Sequence, residues 1–165
     1  MTKTLYAIAR DIVKRLRPEV LDTLGLQGAV EEMVHHYDAI HPECTFVFRA
    51  DGDLAHLDAD LTINVYRLIQ EALSNVVKHA RATHSCVSLE VLKDDAVLRI
   101  VVSDDGVGFD PGKALEPGVG LVGMRERVSA VFGSMEILER PGGGTKLVIR
   151  LPLHRPAGAE PTDVS

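Results

Sequence analysis

Glu71, Asn75, Lys78 and His79 fall within one short stretch, Gln70-Glu71-Ala72-Leu73-Ser74-Asn75-Val76-Val77-Lys78-His79. In a helix, at about 100° per residue, they share about one third of the circumference. They would then offer a carboxylate, an amide, an ammonium and an imidazole to one cavity. An amide oxygen suits Mg²⁺, which takes few protein groups and leans on phosphates for the rest. Lys78 and His79 can donate to phosphate oxygens. A solvated polar helix face would carry the same residue types, so this stretch alone leaves the two readings level.

Asp104-Asp105-Gly106-Val107-Gly108 follows the apolar run Val97-Leu98-Arg99-Ile100-Val101-Val102. A buried Asp at a strand end can accept the exocyclic amino proton of adenine and so select against guanine. Gly106 and Gly108 permit close backbone approach. Taken alone, an ordinary acidic Gly turn is the better reading. Gly118-Val119-Gly120-Leu121-Val122-Gly123 opens a further helical stretch, and free amides at a helix start favour anions. Its G-x-G-x-x-G spacing also fits a dinucleotide fingerprint, but it follows a Pro-bearing loop rather than a strand. A P-loop is excluded, because Gly112-Lys113 would need a glycine where Val107 stands and Ala114 replaces Ser or Thr. Gly142-Gly143-Gly144-Thr145 could bring a hydroxyl near Asp104 if their strands are neighbours.

The elements that must position these groups follow from periodicity. Leu5, Ile8, Ile12, Leu16 and Val20 predict a helix from about Thr4 to Leu21, interrupted near Pro18. Leu26 to Ile40 predicts a second helix, ended by His41-Pro42. Thr45 to Arg49 predicts a strand, and Asp58 to Ala80 a long helix whose Val65, Leu68, Ile69, Ala72, Leu73 and Val76 pack a sheet. Ser85 to Leu92 and Ala96 to Ser103 predict two strands about a tight turn. Phe109 to Pro117 predicts a mobile loop, Val119 to Phe132 a helix, and Met135 to Leu138 and Lys146 to Leu151 the last strands. Arg155 to Ser165 predicts a disordered tail. Consecutive strand pairs disfavour a doubly wound sheet and predict an α+β sandwich, one mixed sheet with helices on one face.

Composition sets outer bounds. The 165 residues, 45% hydrophobic and 25% charged, suit one soluble domain with a short appendage. A net charge of −6 argues against a broad grip on nucleic acid or anionic membrane. Cys44 and Cys86 make neither a disulfide framework nor a metal pair, which suits a reducing cytoplasm. No apolar run reaches membrane-spanning length.

Together these stretches resemble the catalytic ATP-binding domain of bacterial sensor histidine kinases, within the superfamily that includes gyrase, Hsp90 and MutL ATPases. Glu71 to His79 resembles its N-box, Asp104 to Gly108 its DxGxG box, Gly118 to Gly123 its GxGxxG box and Gly144-Thr145 its closing Gly-Thr. Leu16-Arg17-Pro18-Glu19-Val20-Leu21, Leu24-Gly25-Leu26 and Gly123-Met124-Arg125-Glu126-Arg127-Val128 resemble the subtype that pairs with NarL-type response regulators.

The resemblance implies a two-layer Bergerat ATP-binding fold with a mobile lid, ATP and Mg²⁺ as cofactors, and phosphoryl transfer from ATP to a histidine. It assigns Mg²⁺ to Asn75, adenine to Asp104 with Thr145 nearby, and phosphates to Lys78 and His79. Gly106, Gly108, Gly118, Gly120, Leu121 and Gly123 would shape the pocket and lid, and Glu71 would orient Mg²⁺ or its waters. Residues 1–22 would be a remnant helix of the dimerisation unit, 23–154 the catalytic domain and 155–165 the tail. The acceptor histidine has no counterpart among the seven histidines, so the chain is expected to be a monomeric fragment or short module that does not phosphorylate itself. Its expected partners are the parent's dimerisation and phosphoacceptor domain and, indirectly, a response regulator, with no nucleic acid or membrane contact. An anti-sigma-type serine kinase and a non-catalytic nucleotide- or partner-binding module stay as alternatives.

Overall fold

The computed structural model describes residues 18–108, 121–154 and 156–158. The elements are α1 (Glu19–Ile40), β1 (Thr45–Asp51), α2 (Ala59–Asn75), a π turn (Val76–Ala80), β2 (His84–Leu92), β3 (Val97–Asp104), α3 (Leu121–Ala130), β4 (Ser134–Glu139) and β5 (Thr145–Pro152). The predicted lid, Gly118, Gly120, most of the predicted first helix and most of the tail lie outside the described residues.

The five strands form one mixed sheet in the order β1-β2-β3-β5-β4. β1 pairs with β2 in parallel, and every other pairing is antiparallel. The parallel pair needs a crossover, which α2 supplies. Alternation along the strands turns Val87, Leu89, Leu98, Ile100, Val102, Leu147, Ile149 and Leu151 into the core. Their register lines them up in rows: Val87 faces Val102, which faces Leu147, and Leu89 faces Ile100, which faces Ile149. The opposite face, with Ser88, Glu90, Arg99 and Val101, is half-exposed. This is the predicted α+β sandwich with the helices on one face.

α2 lies over the centre of that core. Asp58 caps it by accepting from the Asp60 amide at 3.2 Å. Val65, Leu68, Ile69 and Leu73 are fully buried, each burial worth about 1.5–3 kcal/mol over exposure. α3 presents Leu121, Met124 and Val128 at helical spacing and packs on α2 and β4. α1 breaks at Gly25, whose φ of 71° is left-handed, so two helical segments meet just ahead of the predicted helix start at Leu26. The long helix predicted through Ala80 is α-helical only to Asn75; its last turn widens into the π form. No described helix is long and apolar enough to cross a membrane.

Candidate functional site

Two chain turns are stitched together at one end of the sheet. Beyond the π turn, Arg81 adopts a left-handed φ of 49° and sends the chain into β2. The Ala80 carbonyl accepts from the Val107 amide at 2.8 Å, tying the π turn to the loop after β3. A Cβ on Gly106 would overlap that same carbonyl, which is why glycine is required there. Asp105 fastens the second seam. Its Oδ1 accepts from the amides of Thr83 at 2.8 Å and His84 at 2.9 Å, and its Oδ2 from the Thr83 hydroxyl at 2.6 Å. These donors, the Thr83 hydroxyl foremost, hold its carboxyl far below the usual range.

The preceding residue, Asp104, has a different role. It is 5% exposed and faces the core side of the sheet. Burial raises its pKa, and hydrogen bonds from the Gly106 and Thr145 amides and the charge of Arg140 partly offset this. The Gly106 amide donates to Oδ1 at 2.9 Å. The hairpin before β5 reaches Asp104 through Gly144, whose φ is 103° and whose Cβ would overlap the Asp104 carbonyl.

Asp104 contributes to the wall of a cavity of about 110 Å³. Asn75 and His79 enter it from the end of α2 and the π turn, Thr145 from β5, Gly108 from the loop and Leu121 from α3. Ala72, Val76, Val102, Ile137 and Leu147 supply apolar walls. A flat aromatic ring could lie between these walls with one edge on a carboxylate. A hydroxyl, an amide and an imidazole stand at the same opening.

The residues singled out in the sequence thus divide. Asn75, His79, Asp104, Gly108, Leu121 and Thr145 line one cavity, and Gly106 braces it from behind. Lys78 lines a separate, larger cavity of about 610 Å³ between α1 and α2, among Met33, Tyr37, Tyr66 and Gln70. Glu71 lines neither; its charge acts on Tyr37 of α1 and Arg127 of α3. Gly123 is exposed, and a Cβ there meets nothing within 4 Å. Sequence reasoning gave no structural role to Asp105 or Arg127. Arg127 Nη1 donates to Asn64 Oδ1 at 3.3 Å and so links α3 to α2. Arg127 falls between the buried positions of α3, and no local pattern names its partner. The apolar walls Val102, Ile137 and Leu147 come from three strands, β3, β4 and β5.

Residues 61–155 match the family described as histidine kinase-, DNA gyrase B-, and HSP90-like ATPase. The signal transduction histidine-protein kinase/phosphatase DegS of Brevibacillus brevis is 35% identical over 153 residues, 93% of this chain and 39% of that protein. Sensor histidine kinase ComP of Bacillus subtilis is 38% identical over 153 residues, 90% of this chain and 19% of that protein. The chain therefore spans well under half the length of these relatives. Among solved structures, the histidine kinase domain from the Erythrobacter litoralis EL346 blue-light activated histidine kinase superposes with a TM-score of 0.65 at 21% identity, covering 82% of this chain and 69% of that one.

Proposed function

Because this chain belongs to the histidine kinase-, DNA gyrase B-, and HSP90-like ATPase family, we propose that it is the ATP-binding catalytic domain of a two-component sensor histidine kinase. The observation that carries this reading is the buried Asp104 carboxylate on the wall of a cavity that Asn75, His79 and Thr145 also line. With Oδ1 engaged by Gly106, the carboxylate keeps acceptor capacity for an exocyclic amino group. A guanine carbonyl at the same place would meet like polarity. Thr145 adds a hydroxyl beside the base, and the apolar walls flank its ring.

The residues also fit a nucleotide's metal. Asn75 offers one amide oxygen, the sort of single protein ligand Mg²⁺ accepts when phosphates complete its shell. His79 stands beside it as a phosphate donor. Lys78, on the adjacent residue but facing the α1–α2 side, would serve phosphates only by swinging toward His79, and Glu71 would act through the waters of the metal. Gly118, Gly120, Leu121 and Gly123 would carry the lid, and Gly108 its hinge. ATP supplies the phosphoryl group; the protein positions it and neutralises charge.

On this reading residues 1–22 belong to a dimerisation helix, 23–154 form the catalytic domain and 155–165 a tail. The chain would act as a monomer in the cytoplasm on the parent's phosphoacceptor domain, upstream of a NarL-type response regulator.

Calorimetric titration tests the assignment. ATP should bind in the micromolar-to-millimolar range, GTP more weakly, and Asp104→Asn should lose at least tenfold in ATP affinity. Asn75→Ala should abolish the gain that Mg²⁺ brings. Absence of ATP binding under every condition would overturn the reading.

A further inference from the structure

Ser85 is 3% exposed, and its Oγ has no hydrogen-bond partner among the described residues. It lies directly opposite Asp104 in the β2–β3 register. The Asp105 amide donates to the His84 carbonyl at 3.2 Å, which makes His84 and Asp105 the hydrogen-bonded pair. Ser85 and Asp104 are therefore the narrow, non-hydrogen-bonded pair, with Cα atoms roughly 4.5 Å apart and side chains on the same face. Both point into the core, and Ser85 stands outside the lining of the Asp104 cavity. The two side chains are therefore direct cross-strand neighbours on the buried face.

We propose that Ser85 is a positioning residue for base selection, its hydroxyl donating to the Asp104 carboxylate from behind the pocket and holding it as an ionised acceptor. The inference rests on the adenine-binding reading of Asp104. Adenine needs an acceptor at that carboxylate, whereas the protonated acid would become a donor suited to the guanine carbonyl. Burial pushes Asp104 toward the protonated form, and a third donor beside the Gly106 and Thr145 amides resists that push. The other groups facing Asp104 are Asp105 on its own strand end, Arg140 of the β4–β5 hairpin, Cys44 ahead of β1 and His79 of the π turn. The Cys44 thiol, pushed up to about 11 by burial, stays neutral in the range of interest. From α3 the described residue at the cavity is the apolar Leu121.

The test is the ratio of ATP to GTP affinity as a function of pH, for the full chain and for Ser85→Ala. The ratio cancels contributions of His79 to the shared triphosphate. It should fall with acidification in both proteins, with the midpoint in Ser85→Ala about one pH unit higher, as the loss of one charge-assisted hydrogen bond implies. Ser85→Cys, a weaker donor of similar size, should fall between. Carboxyl ¹³C NMR of Asp104 without nucleotide should show the same ordering. Superimposable midpoints in parent, Ala and Cys variants, with ATP still bound, would overturn the role of Ser85. A parent that binds no ATP would instead remove the underlying reading.

Discussion

A Cβ added at Gly106 would overlap the Ala80 carbonyl, whereas one added at Gly123 meets open space on an exposed helix face. Gly106→Ala should therefore separate the loop after β3 from the π turn, weaken nucleotide binding at least tenfold and lower the thermal midpoint. Gly123→Ala should leave the fold intact and add up to about 1 kcal/mol through helix propensity, roughly 2–4 °C in Tm. Calorimetry and thermal melts on the two variants check both. The sequence spells these glycines alike, each inside a Gly-rich motif, and nothing local tells which one a neighbouring backbone crowds. Asp104 was legible because a strand-like run ends on it. Ser85 was not, since its weight comes from a partner on the next strand that only the register reveals.

Between elements, the two adjacent carboxylates lean in opposite directions. Asp105 joins the ends of β2 and β3 through Thr83 and His84, and its depressed pKa makes that clamp strongest when it is ionised. A depressed folded pKa contributes stability above the unfolded value of about 4, and that contribution is lost as pH falls further. Asp104, raised by burial, works the other way and is eased by protonation. Asp105→Ala should thus lower the urea midpoint at pH 7, with the gap from the parent closing as pH drops below about 4. Denaturation curves across that range decide it. Helical periodicity predicted one long helix through Ala80, and most of it stands. The π turn escaped because Val76-Val77-Lys78-His79-Ala80 continues the helical pattern; it ends where Arg81 turns left-handed and the Ala80 carbonyl accepts from the Val107 amide. That widening accompanies the separation of neighbours, with His79 lining the Asp104 cavity and Lys78 the one beside α1.

Across the whole molecule, the sheet combines two hairpin pairings, β2 with β3 and β4 with β5, with a join between β3 and β5 and the parallel addition of β1 to β2. That join runs to Ser103 opposite Lys146, so Asp104 and Thr145 sit together at its end. Neither hairpin alone holds the cavity. Hairpins close early because their contacts are local, whereas β3 and β5 must find each other across α3 and β4. A ligand seated on that join stabilises only what forms after the hairpins dock. Saturating ATP should therefore slow unfolding and leave the refolding rate unchanged, which stopped-flow kinetics in urea would register as a shift of the unfolding limb alone. In a cell, nucleotide would then act as a kinetic latch on the finished protein and give no help in building it.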